Sequence, residues 1–223
     1  PDAAYHDACA KIEAVVAKTQ ANCFNHPRWA RDFADCREED VDWQAYLFNR
    51  PAVPFDPRLL RRWHHFRMCT NGLSGLWMAH LIDAAHIITG AAYPASAVAL
   101  GGLYLWKDGR EHGDQFHAIL DYPEGFLFDW EMSLTNGAPT RYNLHGRYGT
   151  LDMEKLAWSG EGGEKGKECA PGKLDPGTDV HHMGNWLEAI RTRRPCICTA
   201  DIGASTLTVC SLAGIAYRHN RPL

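Results

Sequence analysis

The stretch Leu73 to Gly90, LSGLWMAHLIDAAHIITG, is apolar almost throughout between Gly75 and Ile88, except at His80, Asp83 and His86. At about 100° per residue those three side chains share one stripe, roughly a third of the way round a helix. An imidazole and a carboxylate one turn apart can act as an acid–base pair, the carboxylate fixing the tautomer of the ring. With a fourth ligand the same three residues could hold a metal ion. Residue types alone favour a plainer reading, a core histidine hydrogen-bonded to a neighbouring carboxylate. A helix that is apolar elsewhere is normally buried, and buried titratable groups need a partner or a task.

Other polar groups stand where a pocket could use them. Lys107, Asp108 and Arg110 fall in the turn KDGR. Charged donors and acceptors so placed suit polyol hydroxyls, and they equally suit a solvated turn. His181, His182 and Asn185 open a later helix, where capping explains them as well as pocket lining does. The His64–His65 pair in RRWHHFRM can point at a site or at solvent.

The elements that must position these groups follow from periodicity and punctuation. Ser74 is the expected N-cap of the central helix and Gly90 its C′ glycine. Ahead of it, Ile12 to Ala21 reads as a strand after a short polar lead-in, and Asp40 to Phe48 as a short helix capped by Asp40 or Asp42. Pro51, Pro54 and Pro57 impose an extended crossover. After Gly90 the pattern turns to β. Ser96 to Trp106 reads as a long strand interrupted at Gly101–Gly102. Gln115–Tyr122 and Phe126–Leu134 form a hairpin about Pro123-Glu124-Gly125. Arg141–Gly146 and Thr150–Met153 form a second, and Leu156–Trp158 a short edge strand. Ser159 to Gly177, rich in Gly, Lys and Glu, reads as a mobile loop. A helix capped by Thr178 runs to Arg194 with Val180, Met183, Leu187 and Ile190 as a buried stripe, and a last helix runs from Thr199 through Tyr217. The class is α+β, with helices packed on one face of a largely antiparallel sheet.

Composition narrows the function classes. The 223 residues are 45% hydrophobic and 22% charged, the profile of a globular domain with a proper core. A formal net charge of −4 without Lys/Arg clusters argues against nucleic acid or an anionic membrane as partner. No apolar run of transmembrane length and no signal peptide is evident. Eight cysteines are scattered without a C-x-x-C, so reduced thiols and a cytoplasmic location are expected, an upstream export signal aside. The sequence holds no G-x-G-x-x-G and no G-x-x-x-x-G-K-[ST], so the chain alone is not expected to bind NAD(H).

Six segments in register resemble the C-terminal domain of the Gfo/Idh/MocA family of NAD(P)-dependent oxidoreductases. They are DVDW (from Asp40), WMAHLIDAAHIITG (from Trp77), GGLYLWKDGR (from Gly101), DYPEGFL (from Asp121), HGRYGTLD (from His145) and HMGNWLEAIRTRRP (from His182). The resemblance implies a dihydrodipicolinate-reductase-like domain, residues 1–223, that binds substrate and self-associates through its sheet face. The family's dinucleotide-binding half has no counterpart in the sequence, so NAD or NADP is expected only in a complete enzyme. By the same resemblance His80 is the catalytic histidine and Asp83 its orienting partner. His86, Lys107, Asp108, Arg110, His182 and Asn185 are then candidates for contacting a sugar or polyol, and no metal is implied. Leu76 stands where several members carry an assisting aspartate, and Met78 where a small residue is familiar. Two other classes remain: a stand-alone carbohydrate-binding or assembly module, and a metal-dependent sugar hydrolase or isomerase.

Overall fold

A computed structural model of the chain describes residues 2–22, 33–175 and 180–222. Eight strands form one open sheet in the order β2-β3-β4-β1-β5-β6-β7-β8. They are β1 (Ala14–Asn22), β2 (Ser96–Gly102), β3 (Gln115–Tyr122), β4 (Phe126–Ser133), β5 (Arg141–Gly146), β6 (Gly149–Asp152), β7 (Ala157–Ser159) and β8 (Gly172–Lys173). β1 runs parallel to β4 and every other pairing is antiparallel. The helices are α1 (Asp2–Ile12), α2 (Trp43–Leu47), α3 (Pro57–Arg61), α4 (Ala79–Thr89), α5 (His182–Thr192) and α6 (Ala200–His219).

Alternation decides the two sheet faces. Phe126, Phe128 and Trp130 of β4 point with Phe116, Leu120 and Tyr122 of β3 into a core closed by Ile82 and Ile88 of α4 and Val209 and Ala213 of α6. The aromatic row is therefore covered by helices of the same chain. On the opposite face Val98, Leu100, Ile119 and Leu127 are exposed, Leu100 by 66%. Between them stand the pairs Lys18–Asp129 (3.3 Å) and His117–Glu131 (3.5 Å). α6 is by length and composition long enough to cross a membrane, yet Val209, Cys210, Ala213 and Ala216 along it are buried in this core. A second, smaller cluster joins Trp43, Leu47, Leu59 and Phe66 beneath the α2–α3 segment. Asp42 caps α2 through Ala45 N, and Asp56 caps α3 with Pro57 at its first position. Every cysteine among the described residues is free.

Several expectations are corrected. The polar lead-in before β1 is a helix, α1, which buries Ala8 and Ile12 and ties to α4 through His6 Nε2 and Ile87 O (3.1 Å). The central helix begins earlier than its expected cap. Ser74 to Met78 form one π-turn leading into α4, and the Ser74 hydroxyl donates back to Asn71 O (3.2 Å) instead of capping. Gly90 does close α4, at φ +74°. β2 ends at Gly102, because the amides of residues 104–106 turn toward a side chain instead of a strand. The segment after β7 is strapped down: Glu164 N donates to Arg147 O (2.8 Å), Cys169 N donates to Tyr148 O (2.8 Å), and Gly172–Lys173 adds β8 to the sheet.

The largest correction concerns α5. Thr178, its expected cap, lies outside the described residues, and His181 caps the helix by accepting Gly184 N at Nδ1 (3.0 Å). The expected buried stripe is not buried: Met183 is 53%, Leu187 57% and Ile190 47% exposed, with Trp186 at 50% beside them. Periodicity identified an amphipathic helix, but nothing among the described residues covers its apolar side.

Candidate functional site

The stripe on α4 runs from solvent to core. His80 is exposed on the first turn after the π-turn, Asp83 is half-buried, and His86 is buried. His86, not His80, is the core histidine of the stripe, although its partner is a tyrosine hydroxyl and not the neighbouring carboxylate that was expected. Asp83 Oδ1 accepts the hydroxyl of Thr206 on α6 (3.1 Å), which pins the carboxylate one turn from His80. His86 Nε2 bonds the Tyr122 hydroxyl (2.8 Å), while its Nδ1 is buried without a hydrogen-bond partner among the described residues. Burial lowers the pKa of His86, against the opposing pull of Asp83 and Glu124. Among the described residues no three His, Cys, Asp or Glu side chains gather as a metal-ligand set.

The loop between β2 and β3, which carries KDGR, is organised by one buried carboxylate. Asp114 Oδ1 accepts Tyr104 N (3.0 Å), and Oδ2 accepts Leu105 N (2.7 Å) and Trp106 N (2.8 Å). Its own amide donates to Gly102 O (2.9 Å), and the Trp106 indole donates to Leu134 O (2.9 Å). Burial pushes the Asp114 carboxyl up, but the three amides and the Arg110 charge outweigh it and hold the group below the ordinary carboxylate range.

Within KDGR, Lys107 is exposed. Asp108 and Arg110 satisfy each other in a bidentate pair (2.8 and 2.7 Å), with the Arg110 side chain only 3% exposed. His65 is buried near this pair, and Glu111 N donates to its carbonyl (2.9 Å). Burial, then Arg110 and His64, press the His65 imidazole down to about 4. His112 of the same loop bonds Thr70 O (3.1 Å), so the loop docks at the N-terminal end of the central helix. His80 lies eight residues after Gly72, beyond the π-turn and on the first turn of α4. On α5, His182 is exposed and Asn185 half-buried, its Oδ1 accepting Ile197 N (2.9 Å) and tying α5 to the segment before α6.

His65, His86 and His112 all titrate below the ordinary histidine value because of burial. Between their folded pKa values and the unfolded value near 6.5, the unfolded chain binds more protons than the folded one, so stability falls as pH falls through that window. The thermal midpoint is expected to drop on acidification from about pH 6.5 toward about 4. A midpoint that stays level across that range would contradict the placement of these three rings.

Sequence reasoning missed Asp114, Thr206, Tyr122 and the π-turn as parts of this arrangement. The residue pattern carries a weak signal only for Asp114, an acidic residue between Gly113 and the first residue of a strand.

No protein-family model matches the chain. A curated relative, the uncharacterized oxidoreductase YdgJ of Escherichia coli strain K12, is 29% identical over 150 residues, which is 62% of this chain and 41% of that protein. Among solved structures, an aldose-aldose oxidoreductase from Caulobacter crescentus superposes with TM-score 0.62 at 15% identity, over all of this chain and 59% of its own. An NAD-binding protein from Listeria innocua gives 0.60 at 13%, over 100% and 63%. The UDP-N-acetylglucosamine 3-dehydrogenase GnnA from Acidithiobacillus ferrooxidans gives 0.57 at 13%, over 92% and 54%. The chain thus spans less than two thirds of each of these relatives. The mixed open sheet with helices on one face bears out the fold that the sequence resemblance implied.

Proposed function

We propose that this chain, whose fold is that of the C-terminal domain of Gfo/Idh/MocA-type oxidoreductases, is the substrate-facing and self-associating part of an enzyme oxidising a hydroxyl of a sugar or polyol. The observation that carries the reading is His80. It is an exposed imidazole at the junction of a π-turn and α4, on a helix that buries Ile82, Ala85 and Ile88, with a carboxylate held one turn away by Thr206. π-Turns inside helices concentrate at functional sites.

Oxidising an alcohol removes the hydroxyl hydrogen as a proton and the carbinol hydrogen as a hydride. His80 is the base that accepts the proton, and Asp83 contributes a fixed negative charge on the same stripe. A nicotinamide cofactor, NAD or NADP, takes the hydride when bound. A single parallel strand pair among the described residues, β1–β4, and a sequence without a glycine-rich phosphate turn support a cofactor site in a dinucleotide-binding domain outside these residues. Lys107, with its exposed ammonium, is the KDGR residue best able to reach a hydroxyl, because Asp108 and Arg110 already occupy each other. Substrates named for relatives of this fold, an aldose and UDP-N-acetylglucosamine, support a carbohydrate class. The free cysteines favour a reducing, cytoplasm-like compartment.

The test is to assay the complete protein, supplied with NAD or NADP, for nicotinamide reduction against a panel of aldoses, cyclic polyols and nucleotide sugars. Reduction with at least one of them is expected. Bound cofactor without turnover on any carbohydrate in either direction would overturn the reading. Calorimetric titration of the present chain with NAD(H) is expected to give no micromolar binding, and such binding would place the cofactor site wrongly.

Self-association belongs to the same proposal. The outer sheet face sets Val98, Leu100, Ile119 and Leu127 between complementary charges, a surface suited to burial against a second copy. Sedimentation at tens of micromolar is expected to show a dimer or larger species. A strict monomer, or an oligomer unaffected by Leu100→Asp, would count against this face.

A further inference from the structure

Three adjoining cavities follow the open edge of β2 at the C-terminal end of α6. The largest, about 330 Å³, is lined by Arg67, Leu100, Gly101, Tyr217, Arg218 and Asn220. A second, about 240 Å³, shares Leu100 and Asn220 with it and adds Arg221 and His117. A third, about 20 Å³ and room for a single water, shares Arg67, Tyr217 and Arg218 and reaches His112. No aspartate or glutamate lines any of the three, in a chain with 27 acidic residues against 23 Lys and Arg. His80 lines none of them either, so a ligand held there is independent of the dehydrogenase reading.

Cations at the end of a helix usually answer its terminal carbonyls and dipole. In α6 the backbone already does part of that work. Asn220, in the left-handed conformation, donates its amide to Ala216 O and Tyr217 O, and Arg221 N donates to Ala216 O (3.4 Å). Arg218 has no ion pair among the described residues, and its guanidinium folds back over Gly214, with Nη1 3.6 Å from where a Cβ on that glycine would stand. Arg67 uses its backbone amide, not its side chain, on the Glu111 carboxylate (2.7 Å). Its guanidinium makes one long bond, 3.3 Å, to Glu111 O. Arg67 and Arg218 therefore line one cleft, and neither side chain is paired with a carboxylate among the described residues. One wall is apolar and fixed: the Tyr217 ring meets Phe116 edge-on at 5.4 Å.

We propose that this cleft binds the phosphate group of a small phosphorylated metabolite, with the oxyanion between Arg67 and Arg218 and the carbon skeleton against Tyr217, whose ring lies outside the face assigned to self-association. A carboxylate offers two oxygens and is filled by one guanidinium fork, whereas a phosphate monoester offers three and a second charge, enough for both. A cavity near 330 Å³ stands at the lower end of small-molecule sites, which matches a sugar phosphate and not a dinucleotide.

The chain is titrated, at constant ionic strength, with glucose 6-phosphate, glucuronate, glucose and inorganic phosphate, and binding is followed by calorimetry and by amide shifts around Gly101 and Arg218. Glucose 6-phosphate is expected to bind, inorganic phosphate more weakly, and glucose not at all. R67A and R218A are each expected to weaken glucose 6-phosphate by about tenfold or more, the loss of a charge-assisted pair, with R218K in between. R191A, on exposed α5, should leave it unchanged, and near-ultraviolet circular dichroism verifies that each variant is folded. Absence of glucose 6-phosphate binding, glucose binding equally well, glucuronate binding as tightly, or R191A weakening binding as much as R218A would each overturn the proposal.

Discussion

Replacing His80 by alanine in the complete protein is expected to lower turnover on its best carbohydrate substrate by about 10² to 10⁴, the usual contribution of a positioned general base. Cofactor affinity should be unchanged, because the proposed role sets the residue against substrate and not against cofactor. The exposure of His80 makes the result decisive. A buried histidine removed in this way would cost stability, and lost activity could then reflect lost protein. At an exposed helical position the same change should alter stability by no more than about 0.5 kcal/mol, so turnover per folded molecule can be read directly. Added imidazole should restore part of the rate to the alanine variant, which a merely structural role does not predict. Turnover within about threefold of the parent, or a loss with no imidazole rescue and a matching fall in thermal midpoint, would remove His80 from the chemistry. Thr206→Val provides the companion measurement. It frees the Asp83 carboxylate without touching His80, and a smaller loss there would separate positioning from proton transfer.

What could be read in the sequence was whatever one-sided burial imposes. Gln115–Tyr122 and Arg141–Gly146 were bounded correctly as strands because residues alternate between the core and the outer face of the sheet. Gly90 marked a helix end because a residue free to adopt the left-handed conformation closes a helix in that way. What could not be read depends on distant partners. The residues of α1, DAAYHDACAKI, have weak amphipathicity, and the helix forms because Ala8 and Ile12 find the core. The i,i+3 spacing of His80 and Asp83 suggested a local pair, but the bond observed for Asp83 comes from Thr206, 123 residues away. On α5 the stripe of Met183, Leu187 and Ile190 has the period of a buried face, and period alone does not say which surface covers it. The bidentate Asp108–Arg110 pair was likewise not legible, because two charged residues in one turn do not say whether they meet each other.

Asp114→Ala is expected to destabilise the protein by about 3 kcal/mol, since hydrogen bonds to a charged group contribute roughly 1.5 to 3 kcal/mol each and part of the loss is recovered as the loop meets water. The carboxylate is fully enclosed and holds the amides of Tyr104, Leu105 and Trp106, three consecutive donors that follow the end of the strand at Gly102. Removing it frees those donors, and with them the anchor of the segment that leads into KDGR and to the His112–Thr70 contact at the end of the central helix. Asp114→Asn should cost less than alanine because the amide oxygen can still accept, but not nothing, because its NH₂ cannot accept and is set against at least one backbone donor. The pH dependence has a definite sign. The folded carboxyl sits below its ordinary range, so its contribution is complete above the unfolded value near 3.9 and is lost only as pH falls through the lower folded value. The alanine variant should accordingly lose the steepest part of the acid transition below about pH 4 while keeping the histidine-driven decline above it. Hydrogen exchange supplies the local readout: the amides of residues 104–106 should lose protection in the variant, while those of β3 and β4 follow only the global change. Full protection of those three amides, or a stability change below about 1 kcal/mol, would mean that the loop is held by Trp106 and its neighbours and not by this carboxylate.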